Sequence, residues 1–259
     1  MAKPQTPVSP SPRPSESRSE RPPEHQFQGS PKKGEKPAQL ALELPVERAV
    51  SRDDLLESPA NRLAVDLIDG WPDWPSNVVV LAGPVGSGKS HLAAIWAAQA
   101  GATILPSAAL GEHPGIATQG NLVLEDAGPG CLDEEALFHA FNQVKAAGHF
   151  LLLTSRSFPS AWMVSLKDLQ SRLRLAHLVE LSEPDDELLS AIIIKLFADR
   201  QLEVPPQTVA YLVARMERSM EAAGRLVAWL DREALARGRK INRSLAAEAL
   251  AAMDNPENN

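Results

Sequence analysis

Eight residues of this 259-residue chain, Gly83-Pro84-Val85-Gly86-Ser87-Gly88-Lys89-Ser90, fit the spacing G-x-x-x-x-G-K-[ST] at every fixed position. A loop of this kind converges its backbone N–H groups on one centre, and the helix that follows adds the positive end of its dipole. Lys89 supplies a point charge for the β- and γ-phosphates, and the Ser90 hydroxyl is placed to ligate Mg²⁺. With His91 next in line, this stretch is the candidate site for ATP or ADP; the bland alternative is a plain Gly-rich turn between a strand and a helix.

Two further groups have the right chemistry to join it. Asn121-Leu122-Val123-Leu124 runs into Glu125-Asp126, a buried strand ending in two acids. At a sheet edge beside the phosphates, Glu125 would orient the Mg²⁺ shell and Asp126 an attacking water, unless this is only a solvated strand end. Phe150-Leu151-Leu152-Leu153 ends in the hydroxyls of Thr154 and Ser155, which can hydrogen-bond a terminal phosphate or that water.

The elements that must hold these groups follow from residue pattern. Val78-Val79-Val80-Leu81 before the loop is the continuous apolar run of a strand buried on both faces. After Lys89 the spacing turns helical, with Leu92, Ile95 and Trp96 on one face. Short strands are expected at Thr103 to Leu105 and at His177 to Leu181. Helices are expected from Ala60 to Asp69, burying Leu63, Leu67 and Ile68, and after Asp133, burying Leu137, Phe141 and Val144. Alternating strand and helix imposes a parallel sheet with right-handed crossovers. Asn61, ahead of the first strand, is a candidate neighbour of an adenine base or an ordinary helix-surface residue.

Beyond Pro184 the strand pattern stops, and several helices run to Met253. The expected organisation is a Pro- and charge-rich disordered tail over 1–37, a linker over 38–50, an α/β nucleotide-binding domain over 51–183 and a small all-α domain over 184–259. Nine of the 22 prolines fall in the tail, which has almost no large apolar residue to offset its ordering entropy. Within the linker, Gln39-Leu40-Ala41-Leu42-Glu43-Leu44 reads either as a docking motif, with its leucines in an apolar pocket, or as the first strand of the domain.

A net charge of −7 disfavours a protein that holds nucleic acid by bulk charge, so DNA is expected only indirectly. The basic cluster of Arg237, Arg239, Lys240 and Arg243 reads as a solvated helix–helix loop. A single cysteine, Cys131, excludes an internal disulfide framework. With no apolar run of membrane-spanning length, the expectation is a cytoplasmic chain with no membrane partner.

The P-loop with its His91-Leu92 extension, Leu137-Phe138-His139-Ala140-Phe141-Asn142, Leu152-Leu153-Thr154-Ser155 with Pro159, and Leu169-Gln170-Ser171-Arg172-Leu173 together resemble the DnaA family of AAA+ proteins, and within it the Hda-type regulators. The resemblance covers about 130 residues and implies a helical lid over the nucleotide. It implies that Arg172 is an arginine finger acting in trans on DnaA, and that Gln39, Leu40, Leu42 and Leu44 bind the DNA polymerase III sliding clamp. A DNA-reading helix-turn-helix after the lid is not expected, since the sequence stops at Asn259. The family's lid arginine aligns with Glu221, a charge reversal, leaving Arg225 or Arg218 as substitutes at the phosphates; nucleotide-dependent self-association belongs to the same expectation. The rival reading is an initiator-like or helicase-loader-like ATPase that remodels nucleoprotein.

Overall fold

The computed structural model describes Arg52 and residues 55–254. Five strands, β1 (Val78–Ala82), β2 (Thr103–Pro106), β3 (Leu122–Glu125), β4 (Leu151–Ser155) and β5 (His177–Glu180), form one parallel sheet in the order β2-β3-β4-β1-β5. β1 and β4 are buried along their whole length, as their unbroken apolar runs require.

Alternation along each strand divides the core between two faces. On one face Val80, Leu124 and Leu153 pack against α3 (Glu134–Ala147) and α4 (Lys167–Leu173). On the other, Val79, Leu81, Val123 and Leu152 pack against α1 (Arg62–Asp69) and α2 (Lys89–Ala100). Burying a large apolar side chain this completely contributes about 1.5–3 kcal/mol. Trp74 stacks on Trp96 of α2 at a centroid separation of 4.8 Å, which fixes α2 on the sheet.

The helix expected from Ala60 begins at Arg62, and one of its expected core residues is misplaced: Leu63 is exposed, while Ala64, Val65 and Ile68 make the contact. With only eight residues, the helix sets its buried stripe by how it lies on α2 and β5, not by its largest side chains. Asn61 is not on the helix surface. It is 3% exposed, its amide donating to Leu56 O (2.8 Å) and its Oδ1 accepting from Ser58 N (2.9 Å), so its polar atoms close the turn before α1. The Gly-rich connection after β2 contains short 3₁₀ turns at Ser107–Glu112 and Ile116–Thr118.

After β5 come α5 (Asp186–Ala198), α6 (Pro206–Val213), α7 (Met220–Arg237) and α8 (Arg243–Met253), which share a separate core of Leu189, Ile193, Leu212, Leu226 and Leu230. Asp185, Ser219 and Asn242 cap three of these helices, each side-chain oxygen accepting the N–H three residues on. The expected basic cluster is a helix–helix turn: Gly238 ends α7, and Arg237 pairs with Glu233 and Glu248. Among the described residues no helix is long and apolar enough to cross a membrane.

Candidate nucleotide site

Strand order alone brings the candidate residues together. β4 lies between β1 and β3, so the exits of these three strands sit side by side at the C-terminal edge, where open parallel sheets bind ligands. From β1 emerges the P-loop, from β3 the Glu125-Asp126 pair, and from β4 Thr154-Ser155. Cross-strand bonds tie the exits: Gly83 N donates to Ser155 O (3.1 Å) and Ala127 N to Thr154 O (2.8 Å).

Gly83, Pro84, Val85, Gly86, Ser87 and Gly88 form the loop between β1 and α2, and Lys89, Ser90 and His91 open the helix. Gly86 and Gly88 take φ of 75° and 96°, a left-handed backbone that costs a side chain dearly. Lys89 is buried, and its Nζ donates to Gly83 O (2.9 Å), Pro84 O (2.7 Å) and Ser87 Oγ (3.3 Å). Burial pulls the Lys89 pKa down; the negative charge of Asp126 acts against that shift and the positive charge of Arg156 adds to it. Ser90 is exposed at the mouth of the loop.

At the end of β3 Glu125 is half-buried, and Asp126 leaves the sheet with φ 53°, its side chain turned to solvent. Two hydrogen bonds hold this unusual backbone, and an ion pair meets its side chain. Asp126 N donates to Thr154 Oγ1 (3.1 Å), Ser107 Oγ donates to Asp126 O (2.9 Å), and Arg156 Nε lies 3.5 Å from Asp126 Oδ1. A non-glycine residue in this region, held from several sides beside a candidate site, is the form that stored strain takes at functional positions. Neither Ser107 nor Arg156 belongs to a motif that sequence pattern marks. The one available signal is a cation directly after the hydroxyl-ended strand.

The lid reaches the loop through the start of α7. Met220 N donates to Gly86 O (3.0 Å), and a Cβ added at Gly86 would stand 2.2 Å from Ser219 Cβ. The lid arginines are turned to carboxylates: Arg225 to Glu221 (2.6 Å) and Glu217 (3.7 Å), Arg218 to Asp186 (2.6 Å). These pairs are solvent-exposed and hold their partners weakly. Arg172 stands elsewhere. It belongs to α4, on the face of the sheet opposite α2, and its guanidinium lies over the Phe138 ring of α3 at 4.9 Å from the centroid. Gln39, Leu40, Leu42 and Leu44 lie outside the described residues, as does the tail.

The cradle fits a nucleoside di- or triphosphate. It offers a buried ammonium whose acceptors are two carbonyls and a hydroxyl, and two glycines in the left-handed backbone that lets a loop turn its amides to one centre. Among the described residues no group of three or more His, Cys, Asp or Glu could hold a metal by itself. Mg²⁺ is commonly bound through one or two protein oxygens together with phosphate oxygens and water, and Ser90 and Glu125 are the residues here that would supply them.

Comparison with known proteins agrees with this geometry. Domain III of the Thermotoga maritima replication initiation protein DnaA superposes over 82% of this chain and all of its own length, with a TM-score of 0.69 at 17% identity. AMPPCP-bound DnaA from Aquifex aeolicus matches over 80% of this chain and 72% of its own, TM-score 0.65 at 20% identity. The chain carries a DnaA-like AAA+ fold. The Thermotoga maritima RuvB Holliday junction branch migration motor shares it, with a TM-score of 0.60 at 20% identity over 76% of this chain and 69% of that one. No family model matches the sequence. An uncharacterised protein from Haemophilus influenzae is 32% identical over 109 residues, 42% of this chain, and the chain spans about half the length (47%) of that relative.

Proposed function

We propose that this chain is a nucleotide-binding regulator of chromosomal replication initiation. Held at the DNA polymerase sliding clamp through Gln39, Leu40, Leu42 and Leu44, it docks on ATP-loaded DnaA and supplies Arg172 to stimulate hydrolysis there, which prevents re-initiation. Its place is the cytoplasm, at the nucleoid and replisome, and it meets DNA only through its partners.

The observation that carries this reading is the position of Arg172. On α4, across the sheet from α2, Arg172 is half-buried with its guanidinium over the Phe138 ring, on the opposite face from the helix that opens at the chain's own P-loop. A guanidinium given in trans to a γ-phosphate neutralises transition-state charge, an effect worth about 10³–10⁵ in rate in other NTPases. The chain's own site then serves as a conformational element. Lys89 and the loop amides bind the phosphates, Ser90 and Glu125 hold Mg²⁺, and Thr154 fixes the backbone of Asp126, the group placed to orient a water. Bound ATP or ADP would supply the negative charge that Lys89 and the loop amides answer, and Mg²⁺ the positive charge that the Ser90 and Glu125 oxygens answer. With Glu221 where a lid arginine is expected, and Arg225 turned to Glu221 and Glu217, slow turnover of this nucleotide is part of the proposal.

The test is phosphate release from ATP–DnaA in the presence of DNA-loaded clamp. Addition of this chain accelerates release, and Arg172→Ala abolishes the acceleration by about 10²-fold or more while leaving nucleotide uptake by the chain intact. Equal acceleration by the variant refutes the finger. Gln39→Ala and Leu40→Ala are expected to lose the clamp in a pull-down. A second reading, an ATPase that remodels nucleoprotein, draws support from the likeness to the RuvB motor and from the intact Lys89, Asp126 and Thr154 set. It requires substantial ATP turnover by the chain alone, lost on Lys89→Ala.

A further inference from the structure

We propose that Arg156 is a second cation of the phosphate site, the group through which this chain distinguishes a nucleoside triphosphate from a diphosphate. The proposal rests on the nucleotide-binding reading and assigns within it a residue to which no role has been given.

Arg156 is the first residue after β4, the strand whose exit lies between the P-loop and the Asp126 turn. Its neighbour Ser155 is in register with Ala82 at the end of β1, and Thr154, two positions back, accepts the Asp126 N–H. The guanidinium is therefore carried directly after a strand paired on both sides and buried along its length. It is also near the other two charges: 3.5 Å from Asp126 Oδ1, and close enough to Lys89 for its positive charge to oppose protonation there.

The Arg156–Asp126 pair is built to exchange. Both side chains are about two-thirds exposed, at 67% and 68%, and solvated ion pairs of this kind are weak. A phosphoryl group offers a guanidinium more: greater negative charge and oxygens spaced for bidentate hydrogen bonds. Lys89, buried against Gly83 O and Pro84 O, is positioned for the inner phosphates. Arg156, further out and beside the carboxylate placed to orient water, answers the terminal one. The lid arginines are more closely held: Arg218 lies 2.6 Å from Asp186 and Arg225 2.6 Å from Glu221, against 3.5 Å for Arg156 and Asp126, and both are less exposed than Arg156. Release of Asp126 from Arg156 would also free that carboxylate, so that one exchange reads the third phosphate and readies the acid.

The experiment is calorimetric titration of the intact chain with Mg²⁺-AMPPCP and with Mg²⁺-ADP, for the wild type, Arg156→Ala, Arg156→Lys and Lys89→Ala. Arg156→Ala is expected to weaken AMPPCP by about tenfold or more while changing ADP by less than about twofold, and Arg156→Lys to restore part of the loss. Lys89→Ala weakens both ligands. Because Arg156 is solvent-exposed, an unchanged melting temperature in the variants separates loss of contact from loss of fold. Equal weakening of both nucleotides by Arg156→Ala, or no weakening of either, overturns the assignment and leaves the P-loop reading intact. No uptake of either nucleotide by the wild type overturns both.

Discussion

Replacing Gly86 by alanine tests how the lid is seated on the P-loop. Gly86 has φ 75°, and placing a side chain in that region costs about 1–2 kcal/mol. The added Cβ would stand 2.2 Å from Ser219 Cβ and 2.6 Å from Ser219 Oγ, far inside contact distance, so either the loop or the start of α7 must move. Overpacking of this kind costs about 1–3 kcal/mol. The sum, about 2–5 kcal/mol, corresponds to a fall in melting temperature of about 4–20 °C for a chain of this size. The two contributions can be separated. Ser219→Gly removes the two nearest clashing atoms, Cβ and Oγ, and although the cap hydrogen bond from Ala222 N goes with them, glycine at a cap costs only a few tenths of a kcal/mol, roughly. In the double variant the dihedral cost remains together with the milder approach to the Cα of residue 219 at 3.0 Å, so a cycle of thermal and urea denaturation is expected to show coupling of about 1 kcal/mol or more between the two positions. Strict additivity would mean that the lid does not rest on the loop in solution, and the geometry at Gly86 would be refuted.

Other outcomes follow from the same site. Burial lowers the Lys89 pKa, so between that value and the ordinary lysine value of about 10.4 the unfolded chain binds more protons than the folded one, and stability rises with pH across that window. Measured as folding free energy against pH, the wild type therefore gains on Lys89→Met as the pH approaches 10.4 from below; a constant difference would show that the ammonium is not desolvated. Thr154→Val removes the acceptor for Asp126 N–H at a cost of about 1–2 kcal/mol. Amide exchange at Asp126 is the discriminating readout: it should accelerate in Thr154→Val and remain protected in Thr154→Ser.

What the sequence made legible is what local pattern dictates. The P-loop declares itself by spacing, and β1 and β4 by apolar runs that only a doubly covered strand tolerates. The caps at Asp133 and Asp185 are local hydrogen bonds between residues three apart, so they too could be read directly. Leu63 could not, because in a two-turn helix the buried stripe depends on the angle at which it meets α2 and β5. Asn61 was misjudged because its amide serves Leu56 and Ser58, partners that depend on the fold of the preceding turn. Arg156 and Ser107 were invisible for a different reason. Each meets Asp126 only once β3 has been placed between β2 and β4, and strand order is a long-range fact that no window of sequence contains. The lid arginines show the same limit, since residue type marked Arg225 as a cation near the phosphates while its neighbours Glu217 and Glu221 decide where it points.

The stacked indoles of Trp74 and Trp96 have a practical use. Trp96 lies seven residues after Lys89 on α2, two turns along the same face, and its ring is pressed against Trp74. A third indole, that of Trp162, donates to Ser155 Oγ at the end of β4. Native emission is thereby wired to the two segments that flank the cradle, and filling it should register as a change in fluorescence with no dye or label attached.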